Sequence, residues 1–96
     1  MIRHIVFFRA RRREDIPAII AGLSVLKRIP HAARLEIMPN GRIDQIANDV
    51  DVVVYGEFPD RAAFDAYKAH PLYQESTAAV RPLRDTRHAA DYEVAD

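Results

Sequence analysis

The stretch AYKAHPLY, residues 66–73, carries three side chains that could do chemistry: Tyr67, His70 and Tyr73. A fourth candidate, His4, lies near the start of the chain in IRHIVFFR. An imidazole can take up or release a proton near neutral pH, and a tyrosine hydroxyl can donate or accept a hydrogen bond. These residues could therefore form the polar part of a small-molecule site, or they could fill space at the end of a helix.

His4 and Tyr67 are the candidate catalytic residues. His4 alternates with Val6 and Phe8, so the three side chains share one face of a predicted strand, and that face is expected to lie beneath the helices. Tyr67 continues a helical stripe from Phe64, which predicts that its ring points inward. A buried tyrosine hydroxyl needs a partner, and His4 is one candidate. The alternative is that His4 bonds to a backbone carbonyl and that Tyr67 only packs in the core.

The remaining polar candidates have more than one interpretation. His70 is counted among the possible ligand-binding residues, but it precedes a proline at a helix end, where its charge would be favoured beside the last carbonyls. Tyr73 is expected either to line the mouth of the pocket or to pack at its rim. His88 could share the interior with His4, depending on the register of the last strand. Asp91 is expected to be solvated or to contact a partner chain.

Composition and charge exclude several classes of function. The 14 basic and 14 acidic residues cancel, so the chain has no field that would hold a phosphate backbone, and nucleic acid is not expected as a partner. There is no cysteine, and the four histidines lack metal-ligand spacing, so neither a metal nor another cofactor is expected. No secretory signal or membrane-length apolar run is present, which predicts a cytoplasmic protein without a membrane partner.

Hydrophobic periodicity and turn residues predict seven elements in one domain, residues 1–96. They are a strand at 2–9, a helix at 15–29, strands at 32–38 and 50–58, helices at 60–70 and 71–80, and a strand at 86–94. Asp15 and Asp60 are the expected N-caps of the first two helices. The order β-α-β-β-α-α-β predicts a ferredoxin-like α+β sandwich.

The predicted layers leave one face of the sheet uncovered, because the helices can cover only the other. Alternation along the first and third strands places Ile5, Phe7, Val53 and Tyr55 on this open face. A contiguous exposed apolar patch usually marks an interface. We therefore expect a homodimer that forms through the open sheet face.

Three segments, RHIVFFRA, DVVVYGEFPDRAAFDAYKAHPLY and RPLRDTRHAADYEV, resemble the stress-responsive A/B barrel domain (Dabb) family over nearly the whole chain. The resemblance implies a dimeric α+β barrel. One branch, similar to plant polyketide cyclases, uses a first-strand His, a Tyr three residues before the HP histidine, and a second His three residues after it. His4 and Tyr67 match the first two, but Tyr73 stands where the second His would be. A further pocket Tyr of that branch falls near Gly22.

Two functions follow as alternatives. In the first, the dimer binds a small apolar or aromatic ligand between sheet and helices, and a cofactor-free cyclase- or isomerase-like enzyme is one form of this function. The expected lining is His4, Val6, Phe8, Phe64, Tyr67, His70 and Tyr73. In the second, the chain is a non-catalytic stress-responsive dimeric domain with a packed interior. A void beside His4, near Ala63 and Gly22, would favour the first.

Overall fold

The structure is a computed structural model that describes residues 1–95. Four strands and three α-helices follow in the order β1 (Ile2–Ala10), α1 (Ile16–Ser24), β2 (Arg34–Pro39), β3 (Val52–Phe58), α2 (Arg61–Ala69), α3 (Pro71–Val80) and β4 (Arg84–Glu93). Short 3-10 turns flank α1 at Arg13–Asp15 and Val25–Arg28. None of the helices in residues 1–95 is long and apolar enough to cross a membrane.

The two predicted helix caps have different outcomes. The side chain of Asp60 accepts a hydrogen bond from the backbone N–H of Ala63 at 2.8 Å, which confirms it as the N-cap of α2. Asp15 precedes α1, but its side chain makes no capping bond there. Instead the guanidinium of Arg12 approaches its carboxylate at 3.4 Å. Asp15 therefore occupies the expected N-cap position of α1, but its side chain does not cap the helix.

The strands form one antiparallel sheet in the order β2-β3-β1-β4. β1 and β3 are therefore central, and β2 and β4 are the edges. The helices cover one face of this sheet, where they bury Val6, Phe8, Val52 and Val54 together with the apolar stripe of α1. The predicted ferredoxin-like α+β topology is confirmed.

The opposite face carries the four predicted apolar residues. Phe7 pairs with Val53, and Ile5 pairs with Tyr55, so their side chains form one patch across the two central strands. Phe7 is 39% exposed. The register of β4 places His88 directly opposite Phe7, on this open face. The expectation that His88 could share the interior with His4 is therefore wrong, since residues paired directly across two strands point to the same side.

Candidate small-molecule site

A cavity of about 40 Å³ lies between the sheet and the helices. It has room for about three water molecules, at roughly 10–15 Å³ of such volume each. Every strand except β2 and all three helices contribute to its wall. The lining residues are His4, Val6, Phe8, Leu23, Leu26, Val54, Tyr67, Tyr73, Ser76, Thr77, Val80, Arg84 and Arg87.

After Tyr67, His4 is the most deeply buried titratable side chain in the cavity wall. Strand alternation turns its side chain under the helices, and 2% of it remains exposed. The imidazole lies among three aromatic rings, with centroid distances of 5.0 Å to Phe64, 6.3 Å to Tyr67 and 6.5 Å to Phe58. An imidazole held on several sides by rings has one well-defined orientation, which a proton-transfer group requires.

Asp91 fixes that orientation by a hydrogen bond between its Oδ1 and Nδ1 of His4. The register of β4 against β1 pairs Asp91 directly with His4, so both side chains lie on the helix side of the sheet. The expectation that Asp91 is solvated or contacts a partner chain is therefore corrected. The Asp91 side chain is 38% exposed, but its carboxylate forms a hydrogen bond with the buried imidazole of His4. Strand alternation places Asp91 and Tyr92 on opposite faces, but only the pairing with β1 shows that Asp91 is the one on the helix side.

The contact between His4 and Asp91 is a hydrogen bond from a neutral imidazole to a carboxylate rather than an ion pair. Burial lowers the pKa of His4 below its usual value, and this effect outweighs the opposing influence of the Asp91 bond and charge. The ring is therefore neutral at pH 7, with the proton on Nδ1 donated to Asp91. This tautomer leaves Nε2 as the ring nitrogen with a free lone pair, which is the form that a general base requires.

Tyr67 is fully buried, and its ring meets His4 as expected, but the two side chains form no hydrogen bond with each other. Within residues 1–95 the Tyr67 hydroxyl has no hydrogen-bond partner. Burial also raises the pKa of Tyr67 well above its usual value, so the group stays protonated and serves as a donor. A buried hydroxyl without a partner is costly, and a bound molecule that accepts its proton would relieve that cost.

Tyr73 stands at the outer wall of the cavity, next to Tyr67, with ring centroids 5.3 Å apart in an edge-to-face arrangement. A guanidinium N–H of Arg87 points to the Tyr73 hydroxyl at 3.4 Å, which is long for a hydrogen bond. Both side chains are half-buried. This pair thus forms a partly exposed part of the cavity wall that is held by one weak contact.

Three other predicted positions do not meet the cavity as expected. Phe64 touches His4 but lies outside the cavity lining. Gly22 leaves no void: a Cβ there would lie 2.9 Å from a methyl group of Val80, and its carbonyl accepts a hydrogen bond from Ser76 at 2.9 Å. The glycine therefore allows α1 and α3 to pack closely, instead of enlarging a pocket. Ala63 also packs against the core.

His70 lies at the junction of α2 and α3 and also falls outside the cavity lining. Its Nδ1 accepts a hydrogen bond from the backbone N–H of Leu72 at 3.1 Å, so the ring caps the N-terminus of α3. The expectation that it meets the last carbonyls of the preceding helix is thus corrected. The extended backbone before Pro71 turns the side chain forward, onto the next helix.

Replacing His70 by alanine is expected to lower stability by about 0.5–2 kcal/mol, as for the loss of other N-caps. In a domain of this size that corresponds to a fall in Tm of about 4–8 °C per kcal/mol. His70→Asn is the matched control, because its side-chain oxygen can accept the same bond and should keep Tm near that of the wild type. Thermal melting compares the three proteins. Equal Tm values for His70→Ala and the wild type would contradict the capping role.

Within the described residues, no three His, Cys, Asp or Glu side chains come together in a way that could hold a metal ion. The profile of the stress-responsive A/B barrel domain family matches residues 2–94. No curated protein sequence is similar enough to count as a match.

Several solved structures share the fold. A dimeric ferredoxin-like protein of Thermobifida fusca is 24% identical, with a TM-score of 0.80 and coverage of 97% of this chain and 90% of that one. A Dabb-family protein of Mesorhizobium loti is 24% identical, with a TM-score of 0.75 and coverage of 99% and 97%. A structure described as an antibiotic biosynthesis monooxygenase is 17% identical, with a TM-score of 0.74 and full coverage of both chains. At these identities the likeness shows the fold.

Proposed function

The chain belongs to the stress-responsive A/B barrel domain family, and we propose that it binds a small, largely apolar or aromatic molecule with a phenol or carbonyl group beside His4. One observation carries this proposal. A neutral buried imidazole, oriented by Asp91, stands next to a buried Tyr67 hydroxyl without a partner. Two apolar side chains would fill this space without the cost of burying polar groups. A ligand that binds to both polar groups therefore best explains their presence.

The same pair of groups supports proton-transfer chemistry. Nε2 of His4 can take a proton from a phenol or from a carbon next to a carbonyl, and Asp91 then stabilises the imidazolium that forms. The Tyr67 hydroxyl can donate a hydrogen bond to the oxygen that gains charge. This division of roles fits a cyclase- or isomerase-like reaction without a cofactor. Because Tyr73 replaces the second histidine of the cyclase branch, His4 is the base in this proposal.

Binding requires the outer wall to open. The cavity of about 40 Å³ is smaller than the roughly 150 Å³ that holds a benzene ring. The long contact between Arg87 and Tyr73 is the part of the wall that can yield, since both side chains reach solvent. We therefore expect an aromatic ligand to enter between α3 and β4 and to displace the Tyr73 ring.

We also propose that the protein is a homodimer, in which two copies pack through the open sheet face. The supporting observations are the exposed patch around Phe7 and Val53 and the dimeric structure of a similar protein. Packing of sheet against sheet would remove this apolar surface from water. The helices, and with them the cavity, would remain on the outside of each sheet.

Tyr67→Phe is expected to weaken binding of 4-propylphenol by about three- to tenfold, since one neutral hydrogen bond contributes roughly 0.5–1.5 kcal/mol. The free protein should keep or gain stability, because the substitution removes a hydroxyl without a partner. Calorimetric titration and thermal melting measure the two effects separately. Propylbenzene, which lacks the hydroxyl, is the matched control ligand, and its affinity should be the same for both proteins.

A similar loss of affinity for propylbenzene would mean that Tyr67→Phe acts on the shape of the cavity rather than through the hydroxyl. Lower affinity of the wild type for 4-propylphenol than for propylbenzene would contradict the role of His4 and Tyr67 as the polar end of the site.

A second candidate function is favoured by the small size of the cavity and by the filled space at Gly22. On this alternative the chain is a non-catalytic stress-responsive domain whose interior is packed and whose role is association. It predicts that neither 4-propylphenol nor propylbenzene binds at millimolar concentration. The two functions are therefore separated by the same titration.

A further inference from the structure

Two arginines of β4, Arg84 and Arg87, lie in the wall of the otherwise mostly apolar cavity. Both are half-buried. In the part of the chain that the structure describes, neither guanidinium has a carboxylate within ion-pair distance. The contacts of Arg87 are instead the Tyr73 hydroxyl, at 3.4 Å, and the face of the Phe8 ring, with Cζ 6.0 Å from its centroid. A partly desolvated cation without an anionic partner is a binding group for an anion.

The position of Arg87 relative to His4 follows from the register of the sheet. Arg87 pairs with Phe8, and Asp91, which holds His4, lies four residues further along the same face of β4. Four residues of strand span about 13 Å, at roughly 3.3 Å per residue. Between them β4 presents only the methyl group of Ala89, opposite Val6. The site thus has a base at one end, a cation at the other, and apolar surface between the two.

We propose that the ligand of this site is an amphipathic carboxylate, whose carboxyl group binds Arg87, with help from Arg84, while its phenol or carbonyl group reaches His4 and Tyr67. This inference rests on the proposed function and adds the charge of the ligand to it. A guanidinium presents two parallel N–H groups that match the two oxygens of a carboxylate. The ring of Phe8 beneath the Arg87 guanidinium reduces the contact of that group with water.

The proposed anion would also affect the base. Burial is the main reason that the pKa of His4 is low, but the positive charges of Arg87 and Lys68 lower it further. A carboxylate bound to Arg87 cancels part of that charge and makes Nε2 of His4 more basic. Binding of an aromatic or ketonic acid would therefore raise the basicity of His4. Binding of a neutral molecule of the same shape would not.

The test uses two probes of the same shape, 3-(4-hydroxyphenyl)propanoate and its primary amide, which differ in charge at one end. Calorimetric titration of the wild type should show that the carboxylate binds about tenfold to a hundredfold more tightly, as expected for charge-assisted hydrogen bonds. Arg87→Met, which keeps an unbranched apolar stem, should reduce the affinity for the carboxylate to that for the amide. The affinity for the amide should not change. Arg13→Met, an exposed position outside the cavity lining, is the control for loss of one positive charge.

Salt dependence gives a second readout that requires no variant. Raising the NaCl concentration from 50 to 500 mM should weaken binding of the carboxylate and leave binding of the amide unchanged, since screening acts on the charge. Equal affinities for the two probes, or an unchanged preference in Arg87→Met, would overturn the assignment of a carboxylate ligand and leave the proposed function standing. Failure of both probes to bind at millimolar concentration would overturn both proposals.

Discussion

Phe7→Asp, alone or combined with Tyr55→Asp, is expected to convert the protein into a monomer or into insoluble material. Phe7 is the most exposed apolar residue of the two central strands, at 39%, and Tyr55 lies beside it on the open face. The part of each ring that is still exposed can contribute about 1.5–2.5 kcal/mol when a partner covers roughly 60–100 Å². A buried carboxylate without a counter-charge adds an unfavourable term of several kcal/mol.

Symmetry doubles this effect, since each substitution occurs on both sides of a two-fold interface. We expect the dimer dissociation constant to rise at least about a thousandfold, which corresponds to about 4 kcal/mol. Sedimentation equilibrium at micromolar concentration measures it directly. Ala62→Asp, at an exposed position of α2 in the helix layer, is the matched control and should leave the dimer intact. A wild-type chain that sediments as a stable folded monomer would contradict the proposed dimer.

Deleting residues 86–96 is expected to abolish cooperative folding. β4 pairs with β1 over almost its whole length, from Ile2 with Glu93 to Ala10 with Arg84. Its loss would turn the apolar central strand β1 into an unpaired edge, which favours aggregation. It would also remove Asp91 and leave the buried Nδ1 of His4 without its hydrogen bond.

Circular dichroism with thermal melting checks this expectation. A chain that lacks only residues 95–96, which follow β4, is the control and should melt cooperatively near the wild-type temperature. If the chain without 86–96 also unfolds cooperatively at a similar midpoint, then β4 does not complete the sheet and the topology is wrong.

Much of the fold could be predicted from local patterns in the sequence. The strict alternation in β1 and β3 separates the core face from the open face, because successive side chains of a strand point to opposite sides. This rule predicts that His4 lies in the interior with Val6 and Phe8, and the structure confirms it. Asp60 was recognisable as a cap because a carboxylate before a helix accepts backbone N–H groups at its start.

The direction of the side chains in β4 could not be predicted from the local sequence in the same way. RDTRHAADYE contains almost no apolar alternation, so nothing local decides which of its residues face the helices. Pairing with β1 decides it, and this pairing places Asp91 beside His4 and His88 on the opposite face. The role of His70 likewise depends on the turn between α2 and α3, which points Nδ1 at the N–H of Leu72.

The sequence by itself therefore determined the element order, the two faces of the central strands and the inward direction of His4 and Tyr67, because these depend on neighbours within a few residues. Only the tertiary structure decided the partner of His4, the missing partner of the Tyr67 hydroxyl, the size of the cavity and the position of Arg87 in its wall. Each of these depends on how elements that are far apart in the chain pair or pack. Such distances are set by packing between residues far apart in the chain.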